Sequence, residues 1–259
     1  MKHFITIAIS LLLAVSSAIA QGRALKTPAA RKNLERAEQL ADRFVQRFRE
    51  TLDFEVVYRE FFIVDPEKRL LNSSSIVFDS LERHEEIKKK ISPSETEQAY
   101  IGFMNLYYLV GIYMANVSTV DEESSTIKSK ELFPPELLKA MKEPSTCFFF
   151  IDYLENKSCK DIPELFQTAE DVRQFAKNAN YLAALFRKYI PSEPFNSPKY
   201  KAHIEQLDWD GRETSIDERN DLFGTGEETT KYQVYRELFV LDIVEENGEM
   251  KVARIPIGN

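Results

Sequence analysis

Hydrophobic and polar positions alternate along this chain in a few distinct ways, and each predicts a different element. From Phe4 to Val15 the chain is apolar, broken only by Thr6 and Ser10, with Met1-Lys2-His3 before it and Ala18-Ile19-Ala20 after it. A short positive start, an apolar centre and a small-x-small end predict a secretory signal peptide over 1–20, cleaved after Ala20. The run is shorter than the ~18–20 residues that a membrane span needs.

The period then becomes helical. Thr27-Pro28 reads as a cap followed by proline at the first helical position. Leu34, Ala37, Ala41, Phe44, Val45, Phe48 and Leu52 recur at helical spacing behind it, and Arg31, Lys32, Arg36, Arg43, Arg47 and Arg49 take the opposite face. Asp53 caps a second helix with Phe54, Val57, Tyr58, Phe61 and Phe62 on one face, which ends at Asp65-Pro66. A third is expected from about Phe78 to Ile91, with Leu81, Ile87 and Ile91 inward.

Ser92-Pro93-Ser94-Glu95 opens the most apolar helix of the chain, and no residue from Ala99 to Val120 is charged. A helix apolar all round must be buried, by other helices or by lipid. Asn105, Asn116 and the tyrosines favour burial by protein, so this is the expected central helix. Pro134-Pro135-Glu136 starts a short helix to about Lys142, and Cys147 to Tyr153 is a strand or a buried turn. Thr168-Ala169-Glu170-Asp171 resembles a capping box with Asp in place of Glu. Behind it, Val172, Phe175, Ala176, Ala179, Leu182, Ala183, Phe186, Tyr189 and Ile190 keep helical spacing for five turns.

Past Ile190 the period is lost. Pro191, Pro194 and Pro198 punctuate the chain, Tyr200 to Leu207 reads as a short helix, and Asp208 to Thr230 as a long acidic loop. Leu238 to Val244 and Met250 to Ile257 form a β-hairpin around Asn247-Gly248, the strongest two-residue turn signal. Counting outward pairs Val244 with Lys251, Val240 with Ile255 and Leu238 with Ile257. The expected fold is mainly α: a bundle-like helical core around a buried central helix, with a C-terminal β-hairpin. The domain reading is 1–20 signal peptide, 21–190 helical domain, 191–230 linker and acidic loop, and 231–259 hairpin packed on the helices.

Composition narrows the function classes. Of 259 residues, 43% are apolar, enough to build a core and to exclude global disorder. The net charge of −8 argues against a nucleic-acid binder, which needs cations to displace counterions. Charge is segregated: residues 21–50 hold eight basic and four acidic side chains, residues 205–249 fourteen acidic and four basic. These segments either complement each other in the fold, or the first presents a basic strip to an anionic lipid or polymer.

Candidate chemistry is sparse. Cys147 and Cys159 are the two cysteines, and export into an oxidising compartment makes them a disulfide candidate. In the chain-entropy model such a loop contributes about 3 kcal/mol. His84-Glu85-Glu86-Ile87-Lys88 begins like a zinc-protease helix, but Lys88 stands where the second His is required. Walker, G-x-G-x-x-G and G-x-S-x-G patterns are absent. Asp208-Trp209-Asp210-Gly211 is a weak ligand-loop candidate that lacks the further oxygens of a calcium loop. No cofactor and no metal are called for. Eighteen Phe and eleven Tyr make a core, or line a pocket for an apolar ligand.

The expectation is therefore a secreted or periplasmic protein, more a binding module than an enzyme, for an unknown protein or apolar ligand and not for nucleic acid. One alternative is a carboxylate-dependent hydrolase of cell-envelope or extracellular polymer, which needs only two placed acids. Another is a membrane-associated protein that uses residues 99–120.

Overall fold

The computed structural model describes residues 28–64, 85–117, 132–150, 166–206, 214–220 and 228–256. The protein is mainly helical, with a small antiparallel sheet towards its C-terminal end. The chain divides into two compact units. One takes residues 1–46, 61–72 and 209–259; the other takes 47–60 and 73–208. Residues 1–20, Cys159 and residues 208–210, on which expectations were placed, lie outside the described residues.

In the first unit, most of α1 (Pro28–Thr51) meets the sheet. Ala37, Ala41, Phe44 and Val45 of the expected apolar stripe are buried, and Leu40 joins them. Phe44 sets its ring edge-on against Phe239 at 5.2 Å and Phe61 at 5.6 Å. Such pairs add about 0.5–1.5 kcal/mol beyond the area they bury.

The expected hairpin is part of a larger sheet. β1 (Ser215–Asn220), β2 (Thr229–Arg236), β3 (Phe239–Glu246) and β4 (Glu249–Arg254) follow one another as an antiparallel meander. The stretch expected to be an acidic loop thus contains β1 and the start of β2. Its polar composition hid these strands, because strand propensity is set by neighbours as much as by residue type. The turn is where the dipeptide placed it, with Asn247 and Gly248 at φ 52° and 83°. Both central residues of this hairpin turn need positive φ, which Asn and Gly accept most readily.

Val244 faces Lys251 as expected, but the ladder then shifts by one residue and Asp242 faces Arg254. Val240 therefore does not pair with Ile255, nor Leu238 with Ile257. A bulge at Ala253 is responsible, and such bulges are not visible in residue spacing. On the outer side of β4, Phe62 and Val252 form a parallel bridge, and the Ile63 N–H donates to the Val252 carbonyl at 3.0 Å. Phe62 thus leaves the expected helical face and protects a sheet edge.

The two charged segments meet within this unit through individual polar pairs. Arg36 donates to Glu245 at 2.9 Å and also to the Gly248 carbonyl. Arg236 donates to Asp42 at 2.8 Å, and Thr214 donates to Glu38 at 2.9 Å. The basic strip is interrupted again further along α1, where Arg47 donates to Glu60 and the Arg49 guanidinium lies over the Phe195 ring. These engagements weaken the case for an anionic partner along that face.

The second unit is organised by α4 (Pro93–Val117) and α6 (Ala169–Tyr189), with α2 (Phe54–Phe61), α3 (Glu85–Lys88), α5 (Pro135–Ala140) and α7 (Pro198–Gln206) as the other helices. Only Glu85–Lys88 of the expected third helix falls among the described helical residues, with Ile87 and Ile91 buried as anticipated. Both long helices start at capping boxes. The Ser92 N–H and hydroxyl donate to Glu95 Oε2 at 2.7 and 2.9 Å, and the Glu95 N–H donates back. Thr168 and Asp171 exchange the same pair of bonds, so Asp does serve in place of Glu.

α4 and α6 run side by side in the same direction. Arg173 meets Glu95 near their starts, Gly102 meets Ala179 midway, and Phe186 meets Tyr113 near their ends. A Cβ on Gly102 would lie 3.2 Å from the Ala179 Cβ, so two small residues let the backbones approach. Phe54 packs on Tyr100 and Tyr108 at one end, and Tyr113, Phe133, Phe150 and Phe186 stack at the other. Among the described residues no helix is long and apolar enough to cross a membrane.

Asn105 is the polar residue inside this apolar helix, at 3% exposure. Its Oδ1 accepts from the Phe54 N–H at 2.7 Å and from Arg187 Nη2 at 3.1 Å, and its Nδ2 donates to Asp53 Oδ1 at 3.2 Å. Asp53 is the cap expected for α2 and accepts from the Glu55 N–H at 2.9 Å. A buried amide is tolerated because its partners are present.

Candidate functional site

The candidate site is an open groove of about 510 Å³ in the second unit, beside the start of α6. Its volume falls in the range of small-molecule sites. One wall is Glu143-Pro144-Ser145, just beyond α5; the other is Gln167, Asp171, Gln174 and Asn178. The first wall is held by its own backbone. The Thr146 and Cys147 N–H groups donate to the Glu143 carbonyl at 3.1 and 2.9 Å, which closes the turn.

The second wall follows from helix periodicity. Asp171, Gln174 and Asn178 are three and four residues apart, so they share one face, beside the buried Val172, Phe175 and Ala179. Gln174 donates to Asn178 at 3.0 Å, and Asn178 donates to Ser145 Oγ at 2.7 Å. This chain of amides joins the two walls and leaves the Ser145 hydroxyl proton free to donate outward.

Asp171 has a structural task. Its Oδ2 accepts from the Gln167 N–H at 3.0 Å, the Thr168 N–H at 2.7 Å and the Thr168 hydroxyl at 2.9 Å. That oxygen is filled by the helix cap, while Oδ1 is not part of it. Glu95, which Arg173 of α6 contacts, is displaced from its ordinary acidity. The hydrogen bond from Arg173, reinforced by those from Ser92, lowers it from 4.5 to about 2. Further along, Lys188 and the Tyr189 hydroxyl both donate to Glu136, which lowers the Glu136 carboxyl and raises the other two.

None of the groove residues was singled out for chemistry by sequence, although Asp171 was identified as a cap. The polar pair Gln174 and Asn178 at a spacing of four was the available signal. The opposing wall had none, because it arrives from beyond α5. Cys147 is buried at 1% exposure and opens a 3₁₀ turn over Cys147–Phe150, which settles the strand-or-turn alternative. Its candidate partner Cys159 is outside the described residues, as are Asp208, Trp209 and Asp210. Among the described residues no group of three His, Cys, Asp or Glu side chains is placed to hold a metal ion.

No family model, curated protein or solved structure matches this chain.

Proposed function

We propose that the chain is an exported, non-catalytic binding protein, and that the groove beside α6 receives a small polar ligand. The observation that carries this reading is the groove's lining. Ser145, Gln167, Gln174 and Asn178 offer neutral hydrogen-bonding groups on two walls that are already tied to each other. Preorganised neutral donors and acceptors recognise hydroxyls and amides, as in a saccharide or a short peptide. The aromatic rings pack on one another in the core, which supports a polar ligand over the apolar one that composition suggested. The same reading treats the second unit as a bundle around α4, with Cys147 bonded to Cys159 near the groove wall.

A hydrolase would need Glu143 and Asp171 as its two acids, since both line the groove. Asp171 already spends one oxygen on three donors of the helix cap, which suits a fixed structural carboxylate better than a group that exchanges protons.

The test is a thermal-shift screen of residues 21–259 against sugars, peptidoglycan fragments and short peptides. A ligand at 100 times its Kd adds about 2.7 kcal/mol. Binding in the groove predicts a saturable shift that Asn178→Ala abolishes. Release of product from a polymer, lost in Glu143→Gln, would reverse the assignment to a hydrolase.

A further inference from the structure

The groove beside α6 is charged unevenly along its length. Glu143 stands on one wall and Asp171 on the other, while Ser145, Gln167, Gln174 and Asn178 are neutral. Among the described lining residues there is no Lys, Arg or His. Arg173, the nearest cation on α6, is directed to Glu95 and Glu170. Lys142 and Lys177, beside the walls in sequence, lie outside the lining.

Both acids keep acceptor oxygens in reserve. Asp171 gives Oδ2 to the Gln167 and Thr168 donors of the helix cap, and no described donor reaches Oδ1. Glu143 serves the fold through its backbone carbonyl, which accepts from the Thr146 and Cys147 N–H groups, and not through its carboxylate. The positive end of α6, which would otherwise draw an anion, is met by Glu170 and Asp171 in its first turn. The neutral groups lie further along. Asn178 ties the walls together at Ser145, 2.7 Å away, about 10 Å along the helix from Asp171. The groove is thus neutral where its walls meet and acidic towards the start of α6.

We infer, on the reading of this groove as a binding site, that its ligand carries an ammonium group at the Asp171 end. The ammonium faces Asp171 Oδ1 and the Glu143 carboxylate, and the ligand's hydroxyl or amide groups face Gln174, Asn178 and Ser145. An ammonium has three donors and no acceptor, which suits carboxylate oxygens that can only accept. Two carboxylates with no cation in the lining attract such a ligand and repel an anionic one. An amino sugar and the amino end of a short peptide both have this form.

The experiment compares isosteric pairs by calorimetry on residues 21–259 at pH 6, where aliphatic amines are charged and ordinary carboxylates ionised. The pairs are glucosamine against glucose, and glycinamide against glycolamide, in which a hydroxyl replaces the ammonium. The ammonium member is expected to bind roughly three- to tenfold more tightly in the pair that fits. A preference confined to glucosamine identifies an amino sugar, and one confined to glycinamide a peptide amino end. Glu143→Gln removes a charge but no hydrogen bond of the fold, and is expected to shrink the preference. Glu170→Gln, an acid of the same helix turn outside the lining, is expected to keep it. Equal binding of both members, abolished by Asn178→Ala, would leave the groove as the site and overturn the ammonium. A preference that Glu143→Gln leaves intact overturns it too, and no binding of any probe overturns the groove and the ammonium together.

Discussion

Arg187 donates its Nε–H to the carbonyl oxygen of Leu52, 2.7 Å away and 135 positions back along the chain. Leu52 has a φ of 49°, the left-handed value at which α1 stops, and its carbonyl would otherwise be an unpaired helix end. The same guanidinium reaches Asn105 and lies 3.3 Å from Asp53. One side chain of α6 thus fixes the turn between α1 and α2 against α4.

Removing the centre of that node is expected to be costly. Asn105→Ala strands the Phe54 N–H and frees Arg187, and should lower stability by about 2–3 kcal/mol. Arg187→Ala should cost less, about 1–2 kcal/mol, because its guanidinium is partly exposed. Urea unfolding of both variants and the double variant measures this, and the expected coupling is at least ~0.5 kcal/mol. Strict additivity would show that the two do not act together.

The two glycines of α4 should respond with opposite signs. Gly102→Val drives a branched side chain into Ala179 and is expected to lower stability by about 1–3 kcal/mol. Gly111 has nothing within 4 Å of an added Cβ, so Gly111→Ala should stabilise by about 0.5–1 kcal/mol. Melting temperatures of the pair decide it.

Glu95 sets an acid limit. Its carboxyl is about 2 when folded against an ordinary 4.5, so its contribution is fully present above 4.5. That contribution is lost as pH falls from 4.5 towards 2, where the folded group takes up its proton. Glu95→Gln should therefore be less stable than the parent at pH 6, with the difference shrinking towards pH 2. Parallel melts across that range check the sign.

The proposed Cys147–Cys159 bond predicts a linked peptide in a non-reducing digest. Reduction should then cost about 3 kcal/mol, read as a lower denaturation midpoint. Two alkylatable thiols in the exported protein would remove the bond from the account.

Much of the helical architecture was legible because helix signals are local. The Thr168 and Ser92 caps, the Asp53 cap and the stripe on α6 are all written within a few residues. The sheet was legible only in its last two strands, read as a hairpin around Asn247-Gly248, where backbone conformation restricts residue type. β1, with Asp217 and Glu218 in its middle, carries no alternating pattern, and its pairing with β2 comes from the neighbouring strand. The groove was hidden for a similar reason: Ser145 and Asn178 meet only once the chain has folded. The burial of Asp242 gave no sign at all, since a buried carboxylate reads in sequence like any acid in an acidic segment.

The unit that joins α1 to the sheet is assembled from the far ends of this sequence: Arg36 and Gly248 are 212 positions apart. At the usual pace of synthesis, α1 is made on the order of ten seconds or more before the strands it meets. During that interval the Phe44 face has none of its final partners from the sheet, and an apolar helix face left waiting is what chaperones bind. The other unit, residues 47–60 and 73–208, is made entirely before the last three strands of the sheet, so its assembly does not wait for them. Substitutions on the inward face of α1 should therefore alter yield in the cell more than they alter the melting temperature of protein already folded.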